Sequence, residues 1–372
     1  MVWSRTASRI LHRRRKSGPL TVSPYLRYFL IYSGAIAAGY LASMARVPLP
    51  WMIGPLLFSS ALGLAGYTVR VPQVTRPIGQ TIVSGVVGLS FTPAALVVVS
   101  EQIVAMIVVA ILIIVAGFAV AALLMRLSRV DVISASLASI PVGPVEIAHL
   151  AIRYGVDPGP VVFAQTVRIM LVVLVIPPVI IALDGSVADP TLTLGSGTMI
   201  DPAGAVLLLA LSTAGGIAFK LIRVSSPFFL GPLAFSAAAS AMMLPVAAPP
   251  FIFLAAAQIL LGVWLGAVID RKLIKNARGF IPAAMLSTAI MVSLCCAIAL
   301  GMSAITGIRW TTAVLATAPG SITEMALTAK ILQDGVAMVT AFHIVRIFII
   351  IPSAPLIFAI TARVAGAKPG GP

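Results

Sequence analysis

Acidic residues are scarce in this chain, ten Asp and Glu against 25 Lys and Arg in 372 residues. All charged residues together make up 9%, where a soluble domain carries about 25%. So few charges cannot clothe a water-facing surface. Cysteine and histidine are scarcer still, at two and three copies. Cys295 and Cys296 are neighbours, a spacing unsuited to a relaxed disulfide and lacking a Cys-x-x-Cys pattern, so both read as small apolar side chains. Three histidines, one of them in the N-terminal arm, leave a metal oxygenase centre short of ligands. With no phosphate-cradling loop and no Ser/His/Asp nucleophile arrangement either, neither a metal nor a cofactor is expected, and the chain does not read as an enzyme.

What is plentiful is apolar: 60% of residues are hydrophobic and the mean hydropathy is +1.11. Runs over 26–44, 102–125, 161–183, 203–222, 250–269, 281–302 and 336–361 each suffice to cross a hydrocarbon core of about 30 Å as a helix. Helices satisfy their own backbone groups in lipid. The expectation is an all-α integral membrane protein whose first partner is the lipid bilayer. The net charge of +15 invites comparison with nucleic-acid binders. However, Lys and Arg gather at the ends of the apolar runs, as in Arg13 to Lys16, Arg126 with Arg129, Lys220 with Arg223, and Arg271 to Arg278. That is positive-inside topology, and no polar stretch is large enough to fold as a DNA-binding domain. Direct nucleic-acid contact is not expected. The first apolar run exceeds a signal-peptide core, and its counterpart recurs later, so it reads as a retained span.

The sequence matches itself. At an offset of about 177, Arg46-Val47-Pro48-Leu49-Pro50-Trp51-Met52-Ile53-Gly54-Pro55-Leu56-Leu57-Phe58-Ser59 aligns with the segment from Arg223 to Ser236, including Gly231 and Pro232. At an offset of about 178, Pro141, Glu146, Arg168 and Pro177 recur as Pro319, Glu324, Arg346 and Pro355. Hydrophobic composition alone does not put Pro, Glu and Arg in register. The expected organisation is a basic cytoplasmic arm (1–24), a first membrane repeat (25–184), a periplasmic linker (185–201), a second repeat (202–361) and a cytoplasmic tail (362–372).

Each repeat reads as five spans, near 26–44, 51–67, 78–98, 102–125 and 161–183 in the first, plus a shorter broken segment at 132–154. If that segment enters and leaves by one face, each half crosses an odd number of times and the halves are inverted. The linker with Asp184, Asp189 and Asp201 then lies outside, and the basic Arg271 to Arg278 loop lies inside. About ten transmembrane helices and two broken or re-entrant hairpins follow. Both termini come out cytoplasmic, with homo-oligomerisation left open.

Ionisable groups at membrane depth mark functional sites. Glu146 follows the break Pro141-Val142-Gly143-Pro144, and Glu324 follows Pro319-Gly320-Ser321. Interrupted helices expose backbone groups beside those carboxylates, as ion and substrate sites do in inverted-repeat transporters. In the functional reading Glu146 and Glu324 bind a coupling proton or cation, while Arg168 and Arg346 face an anionic substrate. In the structural reading the acids and bases neutralise one another and pin each hairpin to the next helix. Gln165 and His343 stand three residues before each Arg, on the same helical face; His343 is a proton relay or a hydrogen-bonded structural residue. Glu146 and His149 also have Glu-x-x-His spacing, as in di-iron bundles, but the second copy lacks the His. Gly54-Pro55 and Gly231-Pro232 are expected to break or kink early helices, with close packing as the alternative.

The R-V-x-x-P-x-x-x-G-P-L blocks and the Pro/Glu/Arg hairpin blocks resemble the AbrB family of bacterial membrane proteins over nearly the whole chain after residue 24. The resemblance implies a duplicated membrane domain. The family's Pro-Gly-Gly near the hairpin Glu is altered in both copies here, more so in the first. The family's names suggest an ammonia monooxygenase or a transcriptional regulator, and neither follows from these residues. The expected function is a secondary transporter of a small solute, an anion being the first candidate, by alternating access. A membrane-bound regulator of gene expression acting through a partner is the second reading, and a membrane monooxygenase the third.

Overall fold

The computed structural model describes residues 23–67, 69–128, 132–141, 143–153, 155, 158–184, 201–269, 271 and 281–364. Among them all regular structure is helical. The helices are α1 (Pro24–Met44), α2 (Pro50–Leu64), α3 (Thr75–Gly88), α4 (Pro93–Glu101), α5 (Ile103–Ser128), α6 (Val132–Ser139), α7 (Pro144–Arg153) and α8 (Pro158–Asp184). After the linker come α9 (Pro202–Leu221), α10 (Pro227–Ala241), α11 (Phe251–Gly266), α12 (Ile281–Thr306), α13 (Trp310–Thr317), α14 (Ile322–Leu332) and α15 (Val336–Val364). Most of the arm, linker and tail, and the basic loop after Arg271, lie outside the described residues.

Local sequence explains where helices begin. Ser23, Thr92 and Asp201 each accept a hydrogen bond from the backbone three residues on, at Leu26, Ala95 and Gly204, and each is followed by proline at the first helical position. A capping oxygen satisfies an orphan N–H, while proline loses nothing where no N–H is needed. The Thr92-Pro93 start also corrects the expected unbroken span over 78–98. There the chain stops at Gly88, restarts at Pro93 and bends by 91°. Gly54-Pro55 and Gly231-Pro232 depart from expectation too, because α2 and α10 run through them without interruption. Both glycines instead touch a neighbouring backbone: a Cβ at Gly54 would strike the Ala38 carbonyl of α1, and one at Gly231 the Gly215 carbonyl of α9. Close packing is their role.

Among the described residues four helices are long and apolar enough to cross a membrane: α5, α8, α9 and α12, with a fifth span if the bent α3–α4 pair counts as one. In the most apolar stretch of α5 only 39% of residues are buried inside the protein. Val104, Ile111 and Val115 point outward. A helix apolar on both its packed and its outward side suits a hydrocarbon surround, and the fold fits a membrane protein.

Two layers position the site. In one, α2 packs on α1 and α11, and α10 packs on α9 and α3. In the other, α5 and α12 lie against each other, with α8 on α12 and α15 on α5. One apolar core runs through both, joining Met52, Leu56 and Val83 to Phe229, Leu261, Met291 and Cys295. Both Cys295 and Cys296 are free thiols.

Candidate functional site

Both segments expected to form hairpins contain a helix break. Helix α6 ends at Ser139 and α7 starts at Pro144; α13 ends at Thr317 and α14 starts at Ile322. Pro141 with Gly143 and Pro319 with Gly320 fall in the interruptions, and Ser321 is the N-cap of α14 in extended conformation. A helix that ends inside a protein leaves unpaired carbonyls, which carry the negative end of its dipole.

Arg168, on α8 and 3% exposed, supplies the missing donors for α6. Its Nη1 donates to the carbonyls of Ala138 at 3.2 Å and Ser139 at 3.1 Å, and its Nη2 to that of Ile140 at 3.0 Å. Gln165 stands one turn before it. Its Nε2 donates to the carbonyls of Leu137 at 2.7 Å and Ile140 at 2.8 Å, and its Oε1 accepts from Arg168 Nη2. Arg346, on α15 and 2% exposed, does the same for α13. Its Nη1 donates to the Ala318 carbonyl at 2.8 Å and its Nη2 to the Gly320 carbonyl at 3.0 Å.

His343 fills Gln165's place. Its Nδ1 lies 2.7 Å from Arg346 Nη2 and its Nε2 lies 3.0 Å from the Leu315 carbonyl. A guanidinium can only donate, so Nδ1 accepts, and Nε2 must carry the proton it gives to Leu315. That assignment makes a neutral imidazole with both nitrogens engaged. Among the described residues, the hydrogen bonds of both arginines go to backbone carbonyls and to the residue one turn earlier. Glu324 sits in the first turn of α14 and is 7% exposed, where the positive helix end favours a carboxylate. Each end of the break thus receives the charge its dipole calls for. Glu146 occupies the third position of α7, but its side chain and those of Pro144 and His149 lie outside the described residues.

The second break packs on the helix that holds the first: α13 and α14 both touch α8, and a Cβ at Gly320 would lie 3.2 Å from Val172 Cγ1, four residues past Arg168. Thr317 Oγ1 donates to the Cys295 carbonyl at 3.1 Å. A small cavity of about 10 Å³ beside Arg168 is bordered by Ser139, Ser287 and Thr288, the size and polarity that hold a single water.

Sequence reasoning missed two glutamines. Gln80 on α3 donates to Thr323 Oγ1 at 3.3 Å, one residue before Glu324. Gln258 on α11 is 1% exposed, and its Oε1 has no partner among the described residues. The two stand 178 residues apart, the spacing that already related the hairpins, so the signal was present. It missed Lys330 as well, whose Nζ donates to Ser90 Oγ at 3.4 Å on the wall of a cavity of about 630 Å³. Among the described residues no three His, Cys, Asp or Glu side chains come together as metal ligands.

Known proteins share this chain's length as well as its sequence. It is 26% identical over 359 residues to "Uncharacterized protein YhjN" of Bacillus subtilis, covering 89% of this chain and 92% of that one. To "Putative regulator AbrB" of Escherichia coli it is 23% identical over 338 residues, covering 88% and 93%. Residues 15–362 match the family described as "Transition state regulatory protein AbrB", and the chain belongs to that family.

Proposed function

We propose that this AbrB-family chain is a ten-span inner-membrane protein of two inverted repeats, 25–184 and 202–361, and that it moves a small, anionic solute by alternating access. One observation carries the reading. Two broken helices, each held at its carbonyl end by a buried arginine, come together where Gly320 of the second break meets Val172 of α8. Transporters with inverted repeats place their sites where discontinuous helices from the two halves converge.

Reciprocity between the halves supports the inversion. Helix α2 packs on α11 as α10 packs on α3. A Cβ at Gly266 would overlap Ser59, and one at Gly88 would overlap Ser236. Each of these serines closes one copy of the repeated motif. Backbone in the left-handed region recurs with the same offset: Arg46, Leu49, Gly66 and Gly155 match Arg223, Ser226, Met243 and Gln333. Exchanged contacts of this kind are what a two-fold relation between copies generates.

In this mechanism Glu146 and Glu324, at the starts of α7 and α14, take up the coupling proton or cation. Arg168 and Arg346, with Gln165 and His343, hold the breaks open beside them. The test is uptake into proteoliposomes across a candidate solute panel under a proton or sodium gradient. Uptake is expected with wild type and absent with Glu324→Gln and with Glu146→Gln; gradient-driven uptake that survives both changes removes the coupling role. Labelling of single cysteines placed at 197 and 368 is expected to report opposite sides of the membrane, and the same side would refute the ten-span inversion.

A membrane-bound regulator is the second reading, favoured by the family's description and by the name of the Escherichia coli relative. Deleting residues 1–24 separates the two: lost control of gene expression with uptake intact favours regulation through a partner.

A further inference from the structure

A cavity of about 630 Å³ lies between the end of α3, α4, the start of α11 and the junction of α14 with α15. Its size suits a small organic ligand. Val86, Phe251 and Leu254 give it apolar walls, and three polar residues face it: Ser90, Lys330 and Gln333. No carboxylate lines it among the described residues. The acid nearest in sequence, Asp334, is turned away, accepting from Thr312 Oγ1 at 2.5 Å with Arg309 3.9 Å off. Lys330 is half-buried, and among the described residues its hydrogen bond is to the Ser90 hydroxyl. Gln333 closes α14 as its left-handed C-cap, an ordinary helix ending, and lines the cavity beside it.

We infer that this cavity is a binding site for a small organic monoanion: Lys330 Nζ and the Ser90 hydroxyl receive the anionic group, and Val86, Phe251 and Leu254 receive an apolar body. A single ammonium in an apolar chamber selects one negative charge, because a second would be buried unpaired. Lys330 lies a turn and a half beyond Glu324 on α14, so an occupant here stands at the base of the second hairpin. That the occupant is cargo rests on the transporter reading; that the site binds monoanions does not. The same chemistry, an anionic head on an apolar body, is also offered by an anionic lipid.

The experiment measures binding to the full chain in nanodiscs of neutral phosphatidylcholine. The probes are benzoate and hexanoate, with benzamide as the neutral analogue and succinate as the dianion. Wild type is expected to bind the two monocarboxylates and to discriminate at least tenfold against benzamide and succinate. Lys330→Gln is expected to weaken benzoate binding about tenfold or more, the loss of one charge-assisted bond. Lys330→Arg should keep it within about threefold, and Ala95→Trp, which fills the chamber while leaving the lysine, should abolish it. In a second arm, dioleoylphosphatidylglycerol is added to the nanodiscs. Lys330-dependent displacement of benzoate identifies the lipid headgroup as the occupant and still upholds the site. Absence of binding by both monocarboxylates and the lipid, or binding undiminished in Lys330→Gln, overturns it. Binding as expected without uptake in proteoliposomes removes the transporter reading alone.

Discussion

The two hairpins solve one problem with different letters. At the first, Arg168 and Gln165 hold the carbonyl end of α6; at the second, Arg346 and His343 hold that of α13. Leu137 and Leu315, and likewise Ile140 and Ala318, offer their carbonyls at matching places. Because glutamine, which never titrates, stands where histidine stands in the other copy, the shared task is donating to a carbonyl and accepting from arginine. The comparison separates what the position requires from what the residue could do elsewhere: a proton relay is no part of the common function.

The sharpest way to break this comparison is to remove an arginine. Arg168→Ala and Arg346→Ala each leave buried carbonyls without donors, at about 1–3 kcal/mol for each unsatisfied group. Loss of stability on the order of 3–5 kcal/mol is expected in both, read as a fall in melting temperature of detergent-purified protein. A large effect in one alone would show that the hairpins are not equivalent. Next in size, Gly266→Val and Gly88→Val push a side chain into Ser59 and Ser236. Overpacking costs about 1–3 kcal/mol, and the equal loss expected in each would appear in thermal unfolding. Removing the histidine ring outright, His343→Ala, should cost about 1–2 kcal/mol. The exchange His343→Gln should cost less than about 1 kcal/mol, since glutamine already does this work at position 165, and a pH profile of uptake unchanged by it would confirm that His343 does not titrate in the cycle. Smallest is Gln80→Leu, which gives up one bond to Thr323, about 1 kcal/mol, with its effect expected on uptake rather than on melting.

Much of the fold was legible because length and punctuation carry it. The runs that became α5, α8, α9 and α12 are long enough to declare themselves, and Pro141-Val142-Gly143-Pro144 and Pro319-Gly320 mark the helix breaks. The bend between α3 and α4 escaped notice because 78–98 has the length of a span and no charged residue, although Thr92-Pro93 is a readable helix start. At the candidate site, the sequence singled out Arg168, Arg346, Gln165 and His343, but not the carbonyls they bond to. Backbone carbonyls have no letter in a sequence, so a carboxylate 22 residues away looked like the natural counterion. Lys330 falls outside the matching skeleton, since Ile152 stands at the corresponding place in the first half. Comparing the halves could not have found it, and only the shape of the cavity brings it forward.

The glycines of the reciprocal joint bear on how such a protein could move. Where α3 meets α10 and α11 meets α2, not even a methyl group fits between Gly88 and Ser236 or between Gly266 and Ser59. Backbones this close slide poorly, since each small shift meets repulsion at once. In the proposed alternating-access cycle the paired helices would serve as a stiff chassis. Displacement would then fall to the segments whose ends are tied by side-chain hydrogen bonds, which can be exchanged one at a time.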